Sequence, residues 1–497
     1  MFEGKEVKVI LAQAGSGKTH KLLNIVSDEL KTRRPEELAF VTFTRKGAEE
    51  GLRRACNNFM YSPEDLPYFR TLHSLTFHAL ELTFEQMMNR KHEVIFNRKY
   101  GYSLNRSIVS ATLHPTQDSR YLDYYDLERS SALTTLMLVE ADIELGYYRQ
   151  LVKHYEEYKQ ENKLVDFFDC LLHYLQYGEP LPCKVVLVDE CQDITSLQWK
   201  VIEKAFSNAE KFYFVGDENQ SIYTYSGARP DFLIDFSKKF PTDYLVESYR
   251  IPKSVYDFSK GIVQYVVDKT NKPFEFHESN GYGSITQLNN VLRLKNYIKE
   301  PVEDKTTTDW YLLARNKCFL SRYQDMLEDA LIPYWTSDGF FIAVKELNLI
   351  TEYENYRLKG FGSKEKKEKF KTKYLITAFN ASWTESNLFS DKRKWVLYSY
   401  VEKYGIEKLK EMIKWNPQIL VATIHCVKGG EAENVSILLD TTRKTAGSIY
   451  RNVDEELRVL YVGVTRTKSN LFLVDSESKD GWDKIITTIK EENGLVW

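Results

Sequence analysis

Residues 7–19 read VKVILAQAGSGKT, and a helix-like stretch follows from His20 to about Leu30. The first five residues favour a β-strand, so the pattern is a strand, a glycine loop and a helix. It matches the phosphate-loop pattern G-x-x-x-x-G-K-[ST] except at the first position, which is Ala12. Backbone N–H groups of such a loop point toward phosphate oxygens at the helix N-terminus. The stretch therefore predicts a parallel α/β domain that binds a nucleoside triphosphate.

Each residue type in this loop has an expected role. Lys18 would reach the β- and γ-phosphates, and the Thr19 hydroxyl would hold Mg²⁺. An ordinary glycine-containing turn between a strand and a helix is the alternative for this pattern taken alone. The residues predicted to contact the nucleotide here are Ala14, Gly15, Ser16, Gly17, Lys18, Thr19 and His20.

A pair of carboxylates follows a second strand-like run. Val185-Val186-Leu187-Val188 is followed directly by Asp189 and Glu190. A buried parallel strand would bring both carboxylates to the carboxyl edge of its sheet, where ligands bind. There Asp189 suits the Mg²⁺ shell, and Glu190 suits a base that orients the attacking water. Such a pair is often only a solvated strand end, but together with the glycine loop it predicts a nucleoside triphosphatase.

Composition excludes several classes of protein. The 497 residues are 43% hydrophobic and 28% charged, which is enough apolar surface for several cores. With 23 Gly and 13 Pro, the chain is neither collagen-like nor a Pro/Gly-rich disordered protein. We expect no membrane span, because no apolar run reaches about 18 residues. We expect no signal peptide, because the N-terminus has no basic stretch followed by a long apolar one. The six cysteines include no C-x-x-C pair, which disfavours zinc and iron–sulfur sites. Their scattered positions in a large chain are typical of proteins of the reducing cytoplasm. The net charge of −3 means that any nucleic-acid binding would need a local groove.

Further segments complete an ordered set of motifs. The carboxylate pair extends into Gln192-Asp193, and other segments precede and follow it along the chain. They are TFTRKGA (42–48), TLHS (71–74), VGDENQSIYTYSGA (215–228), SYR (248–250), TIHCVKGGE (423–431) and YVGVTRT (461–467). In this order the motifs resemble those of superfamily-one DNA helicases of the UvrD/Rep/PcrA type. The resemblance runs from residue 7 to about residue 474, which is nearly the whole chain.

The resemblance implies roles that the residues alone do not reveal. Gln220 would sense the γ-phosphate, and Arg250 and Arg466 would stabilise its charge during transfer. Tyr249 would stack on adenine, and Glu431 would contact the ribose. The residues that would touch single-stranded DNA are Phe43, Thr44, Lys46, His73, Tyr223, Tyr225 and His425. Without the family pattern, Phe43 could belong to the core, and the two histidines could be ordinary core residues.

Alternating strand-like and helix-like stretches around the motifs also favour an α/β fold. With the resemblance, we expect two RecA-like, doubly wound parallel-sheet domains of a P-loop NTPase, each with an inserted, mainly helical subdomain. The predicted bounds are 1–80 and 181–251 for the first domain (1A), 81–180 for its insertion (1B), 252–352 and 417–497 for the second domain (2A), and 353–416 for a reduced insertion (2B-like).

Two functions stay open at this stage. One is an ATP- and Mg²⁺-dependent translocase on single-stranded DNA that acts as a helicase at junctions of single and double strands, with 3′–5′ direction implied by the resemblance. The other is a DNA-stimulated ATPase that strips proteins from DNA or drives a replication, repair or defence complex. The bacterial cytoplasm or a phage-infected cell fits either function. A scaffold with a dead site is disfavoured, because the full set of catalytic residue types is present. Only eleven residues precede Ala12, so we expect the family's upstream glutamine motif, which reads adenine, to be missing or supplied elsewhere, and the preference for ATP over other nucleotides stays open.

Overall fold

The computed structural model describes residues 2–106, 116–130, 143–273, 275–303, 307–360, 363–368, 382–384, 386, 388–449 and 452–495. These residues form two compact units, and each contains one large sheet. The first unit comprises Met1–Gly283, Gly447–Thr465 and Ile489–Val496, and the second comprises Ser284–Ala446 and Arg466–Thr488. The predicted α/β fold class is confirmed. Residues 252–283 and 447–465 lie in the first unit, whereas the sequence bounds place them in domain 2A, and those bounds stay a prediction.

The strands and helices follow one another along the chain with short connections. The strands are β1 (Glu6–Ala12), β2 (Leu38–Thr42), β3 (Phe69–Thr71), β4 (Val185–Val188), β5 (Lys211–Gly216), β6 (Thr242–Leu245), β7 (Glu247–Ser248), β8 (Glu275–Phe276), β9 (Ser284–Leu288), β10 (Trp310–Ala314), β11 (Trp335–Thr336), β12 (Gly339–Phe340), β13 (Ile419–Thr423), β14 (Ala432–Leu438) and β15 (Thr467–Val474). The helices are α1 (Lys18–Glu29), α2 (Arg45–Phe59), α3 (Leu72–Ala79), α4 (Arg90–Tyr100), α5 (Gln117–Arg129), α6 (Leu145–Asn162), α7 (Phe167–Tyr177), α8 (Ser196–Ala205), α9 (Pro230–Lys239), α10 (Lys253–Gln264), α11 (Leu320–Asp329), α12 (Val344–Lys359), α13 (Asp391–Tyr404), α14 (Ile406–Met412), α15 (Arg443–Ile449), α16 (Val453–Val464) and α17 (Asp483–Glu492).

The first unit is built on a six-stranded parallel sheet with the order β3-β2-β4-β5-β1-β6. Its central strand β4 is buried throughout, and successive side chains enter different cores. Val186 and Val188 pack into the cluster on one face, while Val185 and Leu187 pack into the cluster on the other. A parallel sheet covered on both faces explains why this strand reads as a continuous apolar run. The predicted sharing of one sheet by the glycine loop and the carboxylate pair is confirmed, because β1 and β4 are separated only by β5.

Helices α4 to α7 lie between β3 and β4, as expected for a helical insertion. Helices α4, α5 and α6 contribute to a Tyr-rich core that includes Phe96, Tyr121, Tyr148 and Tyr155. A charged cluster closes this core at the start of α7. There Arg129 bridges Asp126, Asp166 and Asp169 at 2.5–3.0 Å. The insertion therefore ends at a tightly held helix N-terminus.

The second unit contains a seven-stranded sheet with the order β12-β11-β13-β10-β14-β15-β9. Its strands are parallel except for the β11–β12 pair. A separate apolar cluster lies among helices α12, α13 and α14, with Tyr353, Trp383 and Tyr400 buried in it. It coincides with part of the predicted reduced insertion, of which residues 361–362, 369–381, 385 and 387 lie outside the described residues.

Among the helices of the described residues, none is long and apolar enough to cross a membrane.

Candidate functional site

The glycine loop runs from the end of β1 to the start of α1 and is clamped by the segment 248–250. The Ser248 hydroxyl donates to the carbonyl of Ala14 (2.8 Å), and the backbone N–H of Tyr249 donates to the carbonyl of Gly15 (3.0 Å). Gly15 has a left-handed backbone with φ +75°, and a Cβ there would lie 2.6 Å from the Cβ of Arg250. Only glycine fits this close approach. The Cβ of Arg250 therefore lies against the loop, and the role of this arginine at the γ-phosphate stays a prediction.

The carboxylate pair lies beside the loop lysine. The Nζ of Lys18 is 3.7 Å from Oε2 of Glu190, and both side chains are largely buried. Glu190 has φ +54°, an uncommon left-handed conformation for a residue other than glycine. Strained residues of this kind concentrate at functional sites. Burial and the neighbouring charge of Glu190 raise the pKa of Asp189, an effect that Lys18 partly offsets. Two crowded, largely buried carboxylates form a site that favours a cation.

Gln192 connects this pair to the predicted γ-phosphate sensor. Its side chain is fully buried, and its Nε2 donates to Oε2 of Glu190 (2.5 Å). Its Oε1 accepts the backbone N–H of Asp217 (3.0 Å). Asp217 in turn accepts a hydrogen bond from Nε2 of Gln220 (2.7 Å). Side chains that follow β4 and β5 are thus joined in one hydrogen-bonded chain.

Tyr461 of α16 also reaches the loop. The backbone N–H of Ala14 donates to the Tyr461 hydroxyl (3.3 Å), and both residues belong to the first unit. Ser16 closes the loop locally, because its hydroxyl donates to the carbonyl of Gln13 (2.8 Å). His20 is exposed in the first turn of α1, and Thr19 beside it is half-buried. The loop is therefore held from both sides by side chains of the same unit.

The predicted adenine-stacking residue is exposed. Tyr249 is 59% exposed, and its hydroxyl donates to Glu247 (3.0 Å). This hydrogen bond raises the pKa of the Tyr249 hydroxyl. The ring of His277 lies 4.7 Å from the Tyr249 ring, centroid to centroid. The outer face of an exposed tyrosine is suited to stacking on a base.

Three predicted site residues lie in the second unit. Arg466 is 1% exposed and donates to the carbonyl of Gly430 (3.2 Å). Glu431 is exposed and lies 3.8 Å from Nζ of Lys468. His425 is half-buried in a short 3-10 helix after β13. Their roles toward a nucleotide or DNA stay predictions.

Aromatic rings form a row at the ends of β2 and β5. The ring of Phe43 lies 5.5 Å from that of Tyr223, which lies 6.3 Å from that of Tyr225. Phe43 is half-buried and Tyr225 is 58% exposed, so neither is a simple core residue. Such a row can receive the faces of successive bases without regard to sequence.

The row approaches the start of the helical insertion through His73. Phe43 and His73 line the same small cavity beside Asp189. His73 is half-buried by exposed area, but the loss of water around its ring lowers its pKa to about 4. At neutral pH it is uncharged, so a contact with a DNA phosphate would be a neutral hydrogen bond. Phe167, which is 65% exposed, packs edge-on against His73 with ring centroids 6.1 Å apart.

Two further residues of the predicted DNA set lie at the start of α2. The Thr44 hydroxyl oxygen accepts the backbone N–H of Gly47 (3.1 Å) and caps this helix. Lys46 follows in the first turn. Thr44 thus lies at the carboxyl edge of the sheet, directly after Phe43.

Sequence reasoning gave no role to Gln192 or Tyr461, although both lie inside quoted motifs, and it gave none to Phe167, which lies outside them. Gln192 follows the carboxylate pair, and Tyr461 opens the last motif. Their motif positions were a signal of importance, but only the hydrogen bonds and ring contacts of the fold reveal what each one touches.

Comparisons with known proteins agree with this geometry. Residues 3–241 match the family model for the UvrD/REP helicase N-terminal domain. The chain is 27% identical over 261 residues to YjcD of Bacillus subtilis, covering 49% of this chain and 34% of the relative. It is 24% identical over 303 residues to the ATP-dependent DNA helicase Rep of Buchnera aphidicola, covering 56% and 44%. It is 24% identical over 387 residues to the ATP-dependent DNA helicase PcrA of Leuconostoc citreum, covering 69% and 50%. The chain thus spans from about a third to half of the length of these relatives, and the predicted resemblance is confirmed.

Replacing Gly15 with alanine tests the clamp on the loop. The new Cβ would clash with Arg250 and Ser248, so the loop should shift and ATP binding should weaken about tenfold. Gly101→Ala is a matched control, because Gly101 has nearly the same φ (+77°) but no atom within 4 Å of its Cβ position. ATP-analogue binding and thermal unfolding of both variants would be measured. Equal ATP affinities in the two variants would show that the close approach of Arg250 is irrelevant to binding.

Proposed function

We propose that the chain is an ATP-driven motor on single-stranded DNA that separates duplex strands, because residues 3–241 match the family model for the UvrD/REP helicase N-terminal domain. The observation that carries this proposal is the hydrogen-bonded chain from Glu190 through Gln192 and Asp217 to Gln220. This chain of bonds links a proposed base, which lies beside Lys18, to a proposed phosphate sensor. Tyr223, three residues after Gln220, is the middle ring of the aromatic row, so the same turn would serve both proposed ligands.

The proposed chemistry is transfer of the γ-phosphoryl group of ATP to water. Lys18 would leave Glu190 and bind the β- and γ-phosphates, which are stronger acceptors of its charge. Freed from this lysine, Glu190 would orient the attacking water and accept its proton. Arg250, and Arg466 from the second unit, would stabilise the charge that develops on the phosphate oxygens.

Mg²⁺ is the metal that this donor set fits. Thr19 offers a hydroxyl and Asp189 a carboxylate, both of them hard oxygen ligands. The repulsion that raises the pKa of Asp189 is one that a divalent cation would relieve. A bound Mg²⁺ would supply charge neutralisation on the phosphates. Thr19 and Asp189 would hold it in place.

The proposed DNA surface follows the carboxyl edge of the first sheet. Tyr225, Tyr223 and Phe43 would stack on bases, with Phe167 extending the row past His73. Thr44, Lys46 and, from the second unit, His425 would contact the backbone. Net charge is only −3, so binding should depend on these local contacts rather than on long-range attraction. The proposed 3′–5′ direction draws its support from the resemblance to UvrD-type helicases.

Strand displacement on three duplexes tests the proposed activity. With ATP and Mg²⁺, the protein should separate duplexes with a 3′ single-stranded tail and leave 5′-tailed and blunt duplexes intact. Glu190→Gln should bind ATP but turn over about 10²- to 10⁴-fold more slowly, and should displace nothing. Displacement from the 5′ tail alone would reverse the proposed direction. ATP hydrolysis that is stimulated by single strands without displacement would favour a translocase that strips proteins or works inside a complex. ATP hydrolysis indifferent to DNA would contradict the proposal.

Tyr225→Ala tests the aromatic row. Stacking is worth about 1–3 kcal/mol per base, so the concentration of single-stranded DNA needed for half-maximal stimulation should rise roughly tenfold. ATP hydrolysis without DNA should stay unchanged, because the ring lies away from the glycine loop's own contacts. Tyr177→Ala is the matched control, since Tyr177 is 66% exposed on α7 and not part of the row. Equal loss of hydrolysis with and without DNA would show that Tyr225 only supports the fold.

A further inference from the structure

Lys272 lies in the segment between α10 and β8, outside every motif of the sequence. Its Nζ is 2.5 Å from Oδ1 of Asp217, 2.6 Å from the carbonyl oxygen of Ala12 and 2.9 Å from Oε2 of Glu218. An ammonium group has three N–H donors, and these three oxygens use all of them. The lysine side chain is 3% exposed, and both carboxylate side chains are 0% exposed. The contact is therefore a buried, fully satisfied ion cluster.

The three acceptors belong to parts of the candidate site that the chain brings together from distant positions. Ala12 is the last residue of β1 and leads directly into the glycine loop. Asp217 uses its other carboxylate oxygen to accept the hydrogen bond from Gln220 (2.7 Å). Lys272 thus ties the turn that carries the candidate sensor to the strand that carries the loop.

The segment around Lys272 holds the second carboxylate as well. The backbone N–H of Thr270 donates to Oε1 of Glu218 (3.1 Å), and its hydroxyl donates to the same atom (2.5 Å). Because one oxygen of Glu218 is occupied by Thr270 and the other by Lys272, the start of the sensor turn has no freedom to rotate.

Electrostatics makes the lysine necessary to this arrangement. Burial disfavours the ammonium, but the adjacent charges of Asp217 and Glu218 outweigh it, and the pKa of Lys272 is raised. Two neighbouring carboxylates without this cation would repel one another in a site that excludes water. Asp217 would then turn away, and Gln220 would lose the acceptor that sets its orientation.

We propose that Lys272 is a positioning residue for ATP hydrolysis, which acts through Asp217 to hold the side chain of Gln220. This inference rests on the proposed function, because it assigns Gln220 to the γ-phosphate. Lys272 sets the orientation of the sensor relative to the loop, so its loss should slow turnover and leave ATP binding by the loop largely intact.

The neighbouring lysine supplies a matched control. Lys269 lies three residues away, and its Nζ donates to the carbonyls of Val263 (2.7 Å) and Gln264 (2.8 Å) at the end of α10. It contacts neither Asp217 nor Glu218 in these bonds. Lys269→Met should therefore keep the parent turnover.

The main variant is the double substitution Lys272→Met with Glu218→Gln, which removes one positive and one negative charge together. It removes the repulsion between two carboxylates, and the one that remains, Asp217, still accepts hydrogen bonds from the backbone N–H of Asn219 and from Gln220, so the variant should fold. ATP-analogue affinity, kcat with saturating single-stranded DNA, and thermal unfolding would be measured on the full chain. We expect kcat to fall at least about tenfold and affinity to stay within about threefold, because a small misplacement of a catalytic group is costly.

Several outcomes would overturn the inference. A kcat within about twofold of the parent would show that Lys272 only balances charge, and a parallel loss of kcat and affinity would show a purely structural role.

If the double variant does not fold, Lys272→Arg replaces it. Arginine keeps the charge but cannot direct three N–H groups from one atom, so kcat should fall with unchanged affinity, and a parent-like kcat would overturn the inference. A parent protein without DNA-stimulated hydrolysis would contradict the proposed function and this inference with it. An active parent beside an unimpaired variant would contradict this inference alone.

Discussion

The buried amide of Gln192 is the interaction on which the candidate site depends. It donates to the carboxylate of Glu190 and accepts from the backbone N–H of Asp217, while the backbone carbonyl of Gln192 accepts the hydroxyl of Ser221 (3.0 Å). Gly216 packs closely against it, since a Cβ on Gly216 would lie 2.4 Å from Oε1 of Gln192. A polar side chain with every group paired in a dry site fixes its neighbours strongly. Here it fixes the carboxylate pair and the sensor turn relative to each other.

Strand order makes this interaction possible. In the first sheet β4, β5 and β1 are neighbours, so the segments that follow them meet at one carboxyl edge. In parallel α/β sheets ligands bind at this edge. The segments after β2 and β3 lie at the same edge and carry Phe43 and His73. Candidate nucleotide and DNA contacts are thus only a few residues apart, which is the arrangement that a motor coupling hydrolysis to movement requires.

Local patterns predicted much of this from the sequence. The strand, loop and helix around Gly15 and the carboxylates after β4 are signalled by neighbouring residues, so the sheet and the core of the site could be predicted. Lys272 could not, because it lies 55 positions from Asp217 in a segment with no motif of its own. Phe167 lies outside the motifs quoted from the sequence, and its exposure beside His73 depends on how the charged cluster at Asp166 holds the start of α7. Contacts between distant segments are set by packing and leave no local pattern.

The central claim is that the bonds around Gln192 couple single-stranded DNA to ATP turnover. The most direct test is the ratio of turnover with DNA to turnover without it in Gln192→Met, which keeps the side chain's length and lacks its donor and acceptor. The account predicts that ATP and single-stranded DNA each bind with nearly parent affinity, while the ratio falls close to one. A variant that retains the parent's stimulation ratio would contradict the account.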